Sequence, residues 1–481
     1  MKTTIHNLLL PLLLVLFMLS PGILQSQEKA PKIKDLTGTW SGKLKIQNMQ
    51  LRLEMNISVN ESDSATVTFD SPDQGILDLP TNKVSLDEDS LYVSLRAIGG
   101  MFNGKLNKEG NTLEGKWYQG GMSFPIAMTR QSQRATINRP QEPKPPFPYL
   151  IEEVKFTNVD AGFDLAGTLT MPEKGGPFPV AILVSGSGPQ NRDEELLGHK
   201  PFWVLADNLT RQGFAVLRYD DRGVGKSKGE FKTATTLDFA TDASAAIDYM
   251  KKRIETDTTR IGLIGHSEGG LIAPIVASSR KDVAYLVLMA APGLPGEQIL
   301  LLQSALISRV EGTDEKTINA NLKLSRDIYA VLKKNSDNEK AGQKIRALLA
   351  ESNKKHAKDS SYHEMSDTEV AAQIETLTSA WLRTFLTLNP ENYLSKVNCP
   401  VLAINGSFDL QVPPKENLQA IEKALIFGGN SSYVIEELPD LNHLFQTATT
   451  GSPTEYAKIE ETIAPSVMVL IGKWIVNNAG R

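Results

Sequence analysis

From Leu36 to about Arg130 apolar and polar residues alternate with a period of two, clearest where Leu51, Leu53, Met55, Ile57 and Val59 interleave with Arg52, Glu54, Asn56 and Ser58. That is the pattern of half-buried strands. Similar runs at Ala65-Val67-Phe69, Leu91-Val93-Leu95 and Phe124-Ile126-Met128 are separated by turn residues such as Pro72-Asp73, Glu109-Gly110-Asn111 and Gly120-Gly121. About eight short strands without a helical period predict a small all-β, barrel-like domain over 36–130. Nothing catalytic stands out in it, which favours an accessory or packing role.

Prolines 140, 143, 145, 146 and 148 then fall within residues 131–148, a density that forbids helix and favours a stiff, extended connector. A chain beginning near Pro145 is therefore expected to fold and act alone. After the connector, apolar runs alternate with amphipathic stretches, the mark of a doubly wound, mostly parallel α/β sheet over 149–481. Val180–Val184, Phe214–Tyr219, Ile261–Ile264, Tyr285–Met289 and Val401–Ile404 read as buried strands. Phe202–Arg211, Leu237–Lys252 and Glu268–Ser278 read as helices, and a last helix runs through Ile459, Ile463, Val467, Leu470 and Trp474. Ile151–Phe156 and Asp164–Met171 form a leading antiparallel hairpin. Between Ala291 and Pro400 only helical spacing persists, as in Ile299, Leu302, Leu306 and Val310. Residues 292–399 are thus expected to be an inserted helical lid over the site.

A chain of 481 residues agrees with two domains, since one core rarely grows so large. Its 51 basic and 56 acidic residues contain no basic block able to neutralise a phosphate backbone, so nucleic acid is not an expected partner. Lys2 followed by the apolar run Leu8–Leu19 and the break at Ser20-Pro21-Gly22 has the layout of an export signal over residues 1–26. The run falls short of the roughly 20 apolar residues of a spanning helix, an uncleaved anchor being the alternative. The mature chain is expected to be periplasmic or extracellular, without stable membrane insertion. Cys399 is the only cysteine, which excludes a disulfide within one chain and a lipid-modified cysteine after the signal.

The central chemical signal is Gly265-His266-Ser267-Glu268-Gly269, directly after the apolar run Arg260–Ile264 and directly before Gly270-Leu271-Ile272-Ala273. A serine on a strand–turn–helix corner is strained and exposed, as a nucleophile must be. It needs a base, and in this fold the chain order is serine, acid, histidine. Of the six histidines, His6, His199, His266, His356, His363 and His443, only His443 lies beyond the last predicted strand at Glu436–Leu438. His356 and His363 read as solvated surface residues, and His266 as pointing across the turn. The acid should follow the strand after the lid. There Val401–Ile404 leads into Asn405-Gly406-Ser407-Phe408-Asp409, which selects Asp409 over Asp440, a near neighbour of His443. Two backbone amides must hold the oxyanion. Glu268, after the nucleophile, supplies one, and Ser187, in the loop Ser185-Gly186-Ser187-Gly188, the other.

These phrases, with Gly188-Pro189-Gln190-Asn191-Arg192-Asp193, Tyr219-Asp220-Asp221-Arg222-Gly223-Val224-Gly225-Lys226-Ser227 and Asn442-His443-Leu444-Phe445-Gln446, resemble the bacterial EstD-type carboxylesterases and the broader serine aminopeptidase-like α/β-hydrolases from about Tyr149 to the end. The resemblance implies hydrolysis of short-chain esters of small molecules without a cofactor. It makes Arg192, Asp193 and Arg222 either polar supports behind the triad or structural loop ion pairs. That group more often carries histidine at Ser185 and aspartate at Asn191. Gly38-Thr39-Trp40-Ser41-Gly42 and Leu113-Glu114-Gly115-Lys116-Trp117 loosely resemble lipocalin-like barrels. No histidine pair has metal-ligand spacing, and Gly223-Val224-Gly225-Lys226-Ser227 lacks the upstream glycine of a phosphate-binding loop. Two other readings are a peptidase of the same fold and a catalytically idle hydrolase fold used for binding, which the complete triad disfavours.

Overall fold

The two alternation patterns become two sheets. In the structure, a computed structural model, residues 31–46, 49–60, 64–120, 122–134, 138–356 and 366–479 are described. Residues 1–26, read as an export signal, and His363 lie outside them. The first sheet contains β1 (Gly38–Ile46), β2 (Met49–Val59), β3 (Ala65–Ser71), β4 (Ile76–Pro80), β5 (Lys83–Asp87), β6 (Ser90–Leu95), β7 (Gly100–Leu106), β8 (Thr112–Gln119) and β9 (Met122–Gln131). Its order is β4-β3-β2-β1-β9-β8-β7-β6-β5. Alternate residues of these strands point to one side, so Trp40, Met55, Ile57, Phe69, Leu91, Val93, Phe102, Leu113 and Met128 build one core. The sheet curls into a half-barrel that stays open between β4 and β5. Neither strand has a buried residue, so pairing them would gain little apolar burial.

The second sheet starts with the hairpin β10 (Tyr149–Asn158) and β11 (Phe163–Pro172). It continues as β12 (Phe178–Val184), α1 (Pro201–Arg211), β13 (Ala215–Tyr219), α2 (Thr236–Met250), β14 (Thr256–His266), α3 (Gly269–Ser279) and β15 (Tyr285–Met289). Six helices follow: α4 (Gly296–Val310), α5 (Glu315–Lys334), α6 (Asn338–His356), α7 (Asp367–Leu377), α8 (Ala380–Thr387) and α9 (Glu391–Leu394). The sheet then resumes with β16 (Val401–Gly406), α10 (Pro414–Phe427), β17 (Tyr433–Leu438) and the closing α11 (Pro465–Asn478). Strand order is β10-β11-β13-β12-β14-β15-β16-β17, parallel from β13 onward. This is the α/β-hydrolase arrangement. Strands β13, β15 and β16 are buried throughout because helices cover both faces. Helices α2, α3 and α10 pack on one face, and α1 and α11 on the other. The helices between β15 and β16 hold a small core of their own around Ile328, Leu332, Ile345 and Leu382.

The proline-rich connector is more than a spacer. Arg139 donates to the carbonyls of Leu197 (2.9 Å), Ala457 (2.9 Å) and Ile459 (3.1 Å). The Gln141 side chain donates to the Ile463 carbonyl and accepts the Thr462 and Ile463 amides. Gly75 of the half-barrel approaches so closely that a Cβ there would lie 1.8 Å from the Leu197 carbonyl carbon. The two sheets therefore share an interface that the proline pattern does not reveal.

Candidate active site

The carboxyl ends of the parallel strands gather the candidate residues. At the end of β14, Ser267 adopts φ 52, a left-handed conformation that costs a non-glycine residue about 1–3 kcal/mol. The turn is feasible because the flanking positions lack side chains. A Cβ on Gly265 would lie 2.1 Å from the Gly269 carbonyl oxygen, and one on Gly269 would lie 2.0 Å from that of Val184. Ser267 is thereby raised, half-buried, above the β14–α3 corner. Its hydroxyl makes no hydrogen bond among the described residues. Nucleophile–base bonds of such sites commonly tighten only with substrate in place.

Asp409 and His443 come together from loops after β16 and β17. His443 Nδ1 lies 2.8 Å from Asp409 Oδ2, and both residues are buried. The aspartate is aimed by its own loop, since Oδ1 accepts the amides of Gln411 (2.8 Å) and Val412 (2.9 Å). The histidine loop is wound around Asn442, whose Oδ1 accepts the amides of Leu444 and Gln446, and Phe445 takes φ 60. A carboxylate on Nδ1 leaves Nε2 unprotonated in the neutral ring, the tautomer of a general base.

The loop after β12 lies against Ser267. A Cβ on Gly186 would be 3.2 Å from that of Ser267. The Gly186 amide is already committed to Glu194 Oε1 at 2.7 Å. By contrast, the amides of Ser187 and Glu268 make no hydrogen bond among the described residues. The Glu268 side chain turns inward instead. Its Oε1 accepts from Thr236 Oγ1 of α2 (2.6 Å) and from Trp381 Nε1 of α8 (2.8 Å), so the helical insertion is tied to the residue beside Ser267. Burial raises the Glu268 pKa, which these two bonds partly offset.

Arg192, Asp193 and Arg222 form ion pairs with groups other than Asp409 and His443. Arg192 forks onto Asp220 (3.0 and 2.8 Å) and reaches Glu153. Asp193 pairs with Arg218, and Arg222 with Asp242 at 2.7 Å. The polar pair that touches the loops of Ser267 and His443 is Glu194, not singled out in the sequence, and His266, expected there to point across the turn. His266 is buried. Its Nδ1 lies 3.0 Å from Glu194 Oε1 and its Nε2 2.9 Å from the carbonyl oxygen of His443. Burial disfavours charge on this ring, but the facing Glu194 carboxylate outweighs it and the His266 pKa stands above its ordinary value. Ser185 donates to Asp221 (2.7 Å), whose buried carboxyl is pushed up to about 8, chiefly by desolvation. Among the described residues no group of three or more His, Cys, Asp or Glu side chains is arranged to hold a metal ion.

A strained serine, a carboxylate-bound histidine and two unpaired amides thus meet at the carboxyl ends of the parallel strands. A family model described as X-Pro dipeptidyl-peptidase (S15 family) matches residues 134–424, more than half of the chain. The chain belongs to the S15 family. The match includes Ser267 and Asp409 and ends before His443. The chain is also similar to esterase EstD of Thermotoga maritima, 26% identical over 374 residues covering 75% of this chain and 78% of the relative. It is 31% identical over 170 residues to the uncharacterized protein YfhR of Escherichia coli K12, covering 33% and 57% of the two chains. Among solved structures, the Pyrococcus furiosus esterase Pf2001 aligns with TM-score 0.42 and 18% identity over 72% of this chain and 100% of that one. This S15-family member is a hydrolase of the esterase and peptidase kind.

Proposed function

We propose that the chain is an exported serine esterase that cleaves short acyl esters through an acyl-enzyme. The observation that carries the reading is the buried contact between His443 Nδ1 and Asp409 Oδ2, placed at the strand ends beside the left-handed Ser267. In this reading His443 Nε2 takes the hydroxyl proton of Ser267 as Oγ attacks the ester carbonyl. The resulting oxyanion is held by the Ser187 and Glu268 amides. His443 then gives the proton to the departing alkoxide, and water, activated by the same ring, releases the acid. The helical insertion acts as a lid that limits acyl length. EstD, a named esterase, supports the ester substrate class.

The family description favours a second reading, a peptidase acting at a chain end. An exopeptidase needs a charge to hold the substrate terminus, and Glu297, Glu311 and Glu315 are the early-insertion carboxylates available. Glu297 is paired with Lys333 and Glu315 with Arg309, while Glu311 is exposed. Two of the three are therefore already neutralised, which supports the esterase order. A substrate profile decides between the readings. Acetyl and butyryl esters should be turned over faster than long-chain esters and faster than aminoacyl or Xaa-Pro amides. Amides cleaved faster than acetyl esters would reverse the assignment.

A further inference from the structure

We infer that Glu194 and His266 form a buried positioning pair that holds the oxyanion loop, the nucleophile turn and the base loop in register. The inference rests on the triad reading above. Each partner touches a different part of the machinery. Glu194 Oε1 accepts the Gly186 amide (2.7 Å) and faces His266 Nδ1 (3.0 Å), while His266 Nε2 reaches the carbonyl of His443 itself (2.9 Å). His266 is also the residue before Ser267, and its ring lies 4.9 Å from that of His443. One carboxylate and one imidazole thus join three loops that are far apart in sequence.

The donors and acceptors around the pair restrict its protonation. A carbonyl oxygen only accepts, so Nε2 of His266 carries a hydrogen. Glu194 Oε1 already accepts an amide hydrogen and, as a carboxylate, accepts a second from Nδ1. An imidazolium beside a carboxylate therefore satisfies every contact. Both residues are buried, with Glu194 5% and His266 6% exposed, so removing either partner leaves the other as an uncompensated buried group. Glu194 is held at φ 50, a conformation that persists only where the surroundings over-determine it.

The functional consequence follows from which amide is used. Because Glu194 occupies the Gly186 amide, the loop presents the next one, Ser187, to the oxyanion. Releasing Glu194 would let the loop turn against Ser267 and spoil that alignment. The oxyanion exists only in the transition state and intermediate, so the loss should fall on kcat and spare KM.

The test uses the full chain with p-nitrophenyl acetate and butyrate. Glu194→Ala and His266→Ala should each lower kcat about 30- to 100-fold, below the loss expected for deleting an oxyanion donor outright. KM should stay within about threefold, and the double variant should be no worse than the poorer single one, as for groups acting as a unit. Glu194→Gln should recover only part of the loss, because Oε1 makes both contacts: the glutamine oxygen still accepts from Gly186 but offers no hydrogen to Nδ1 of a neutral His266. Wild type should also show a downfield histidine N–H proton resonance that Glu194→Gln removes. That resonance decides the matter if the alanine variants do not fold. Unchanged kcat in both alanine variants, a loss confined to KM, additive losses, or no Glu194-dependent resonance would each overturn the pairing. Ser267→Ala measured alongside separates the two levels. Retained turnover there sinks the triad reading, whereas an inactive Ser267→Ala beside an unimpaired Glu194→Ala sinks only the pair.

Discussion

At the scale of single residues, strain and burial concentrate where side chains must be aimed. Ser267, Glu194 and Phe445 all take left-handed φ values of 50–60° around the same site. Ser267, Asp409 and His443 were legible in the sequence because each sits at a strand end that hydrophobic pattern alone locates. Glu194 and His266 were not, since their contact spans 72 residues and depends on the backbone twist at Glu194. That twist sends Glu194 toward Gly186 and His266 while its neighbour Asp193, the residue chosen from sequence, pairs with Arg218. Ser267→Ala and His443→Ala should each reduce turnover nearly to the level of the double variant, measured as kcat/KM. Additive losses would contradict a triad acting as one unit. His199 gives a separate stability signature. It is buried among Thr462, Tyr456 and Gln446, and desolvation, helped by Arg139, pushes its pKa down to about 4. The folded state therefore binds fewer protons than the unfolded one between pH 4 and 6.5. Stability from this group is complete above pH 6.5 and is lost as pH falls toward 4, by about 3 kcal/mol in all. Urea melts of wild type and His199→Gln should converge as pH falls through this window, and equal slopes with pH would refute it.

At the scale of elements, period-two and period-3.6 patterns located the buried strands and most helices; α10 went unread, the exposed strands β4 and β5 were not singled out, and Ile459 and Ile463, read into the last helix, precede α11. Burial on one face or two leaves a direct trace in the sequence. Packing between elements left none. The Gly265–Gly270 turn shows why: its glycines are demanded by carbonyls of β12 and α3, which the sequence does not align. In Gly269→Ala the new methyl would meet the Val184 carbonyl, a backbone atom that cannot rotate away. This variant should lose about 3 kcal/mol of unfolding free energy, and a loss under 1 kcal/mol would mean the strand and helix separate easily. The tie between α8 and the nucleophile turn is likewise invisible in sequence. Trp381→Phe keeps the ring stacked on Phe385 but removes the donor to Glu268. It should cost about 1–3 kcal/mol in thermal or urea stability, because the buried Glu268 loses one of its two donors.

At the scale of the whole molecule, the proline-rich connector looked in sequence like a boundary between independent cores, yet its Arg139 and Gln141 bind the segment leading into α11. Proline density reports backbone stiffness, whereas these contacts come from two polar side chains with no periodic signal. Arg139→Ala leaves three carbonyls without their donor and should lower the unfolding free energy by about 2–4 kcal/mol in the full chain. A melt unchanged by this substitution would restore the view of a passive spacer. Arg139 and Gly75 of the half-barrel both meet Leu197, in the loop that carries Glu194. The role of Ser267 as nucleophile is addressed directly by one measurement. Intact-mass analysis of the full chain after treatment with a fluorophosphonate should show a single adduct, mapping to the peptide containing Ser267, present in wild type and absent in Ser267→Ala. No adduct on the folded wild-type chain, or an adduct that persists in Ser267→Ala, would contradict the assignment.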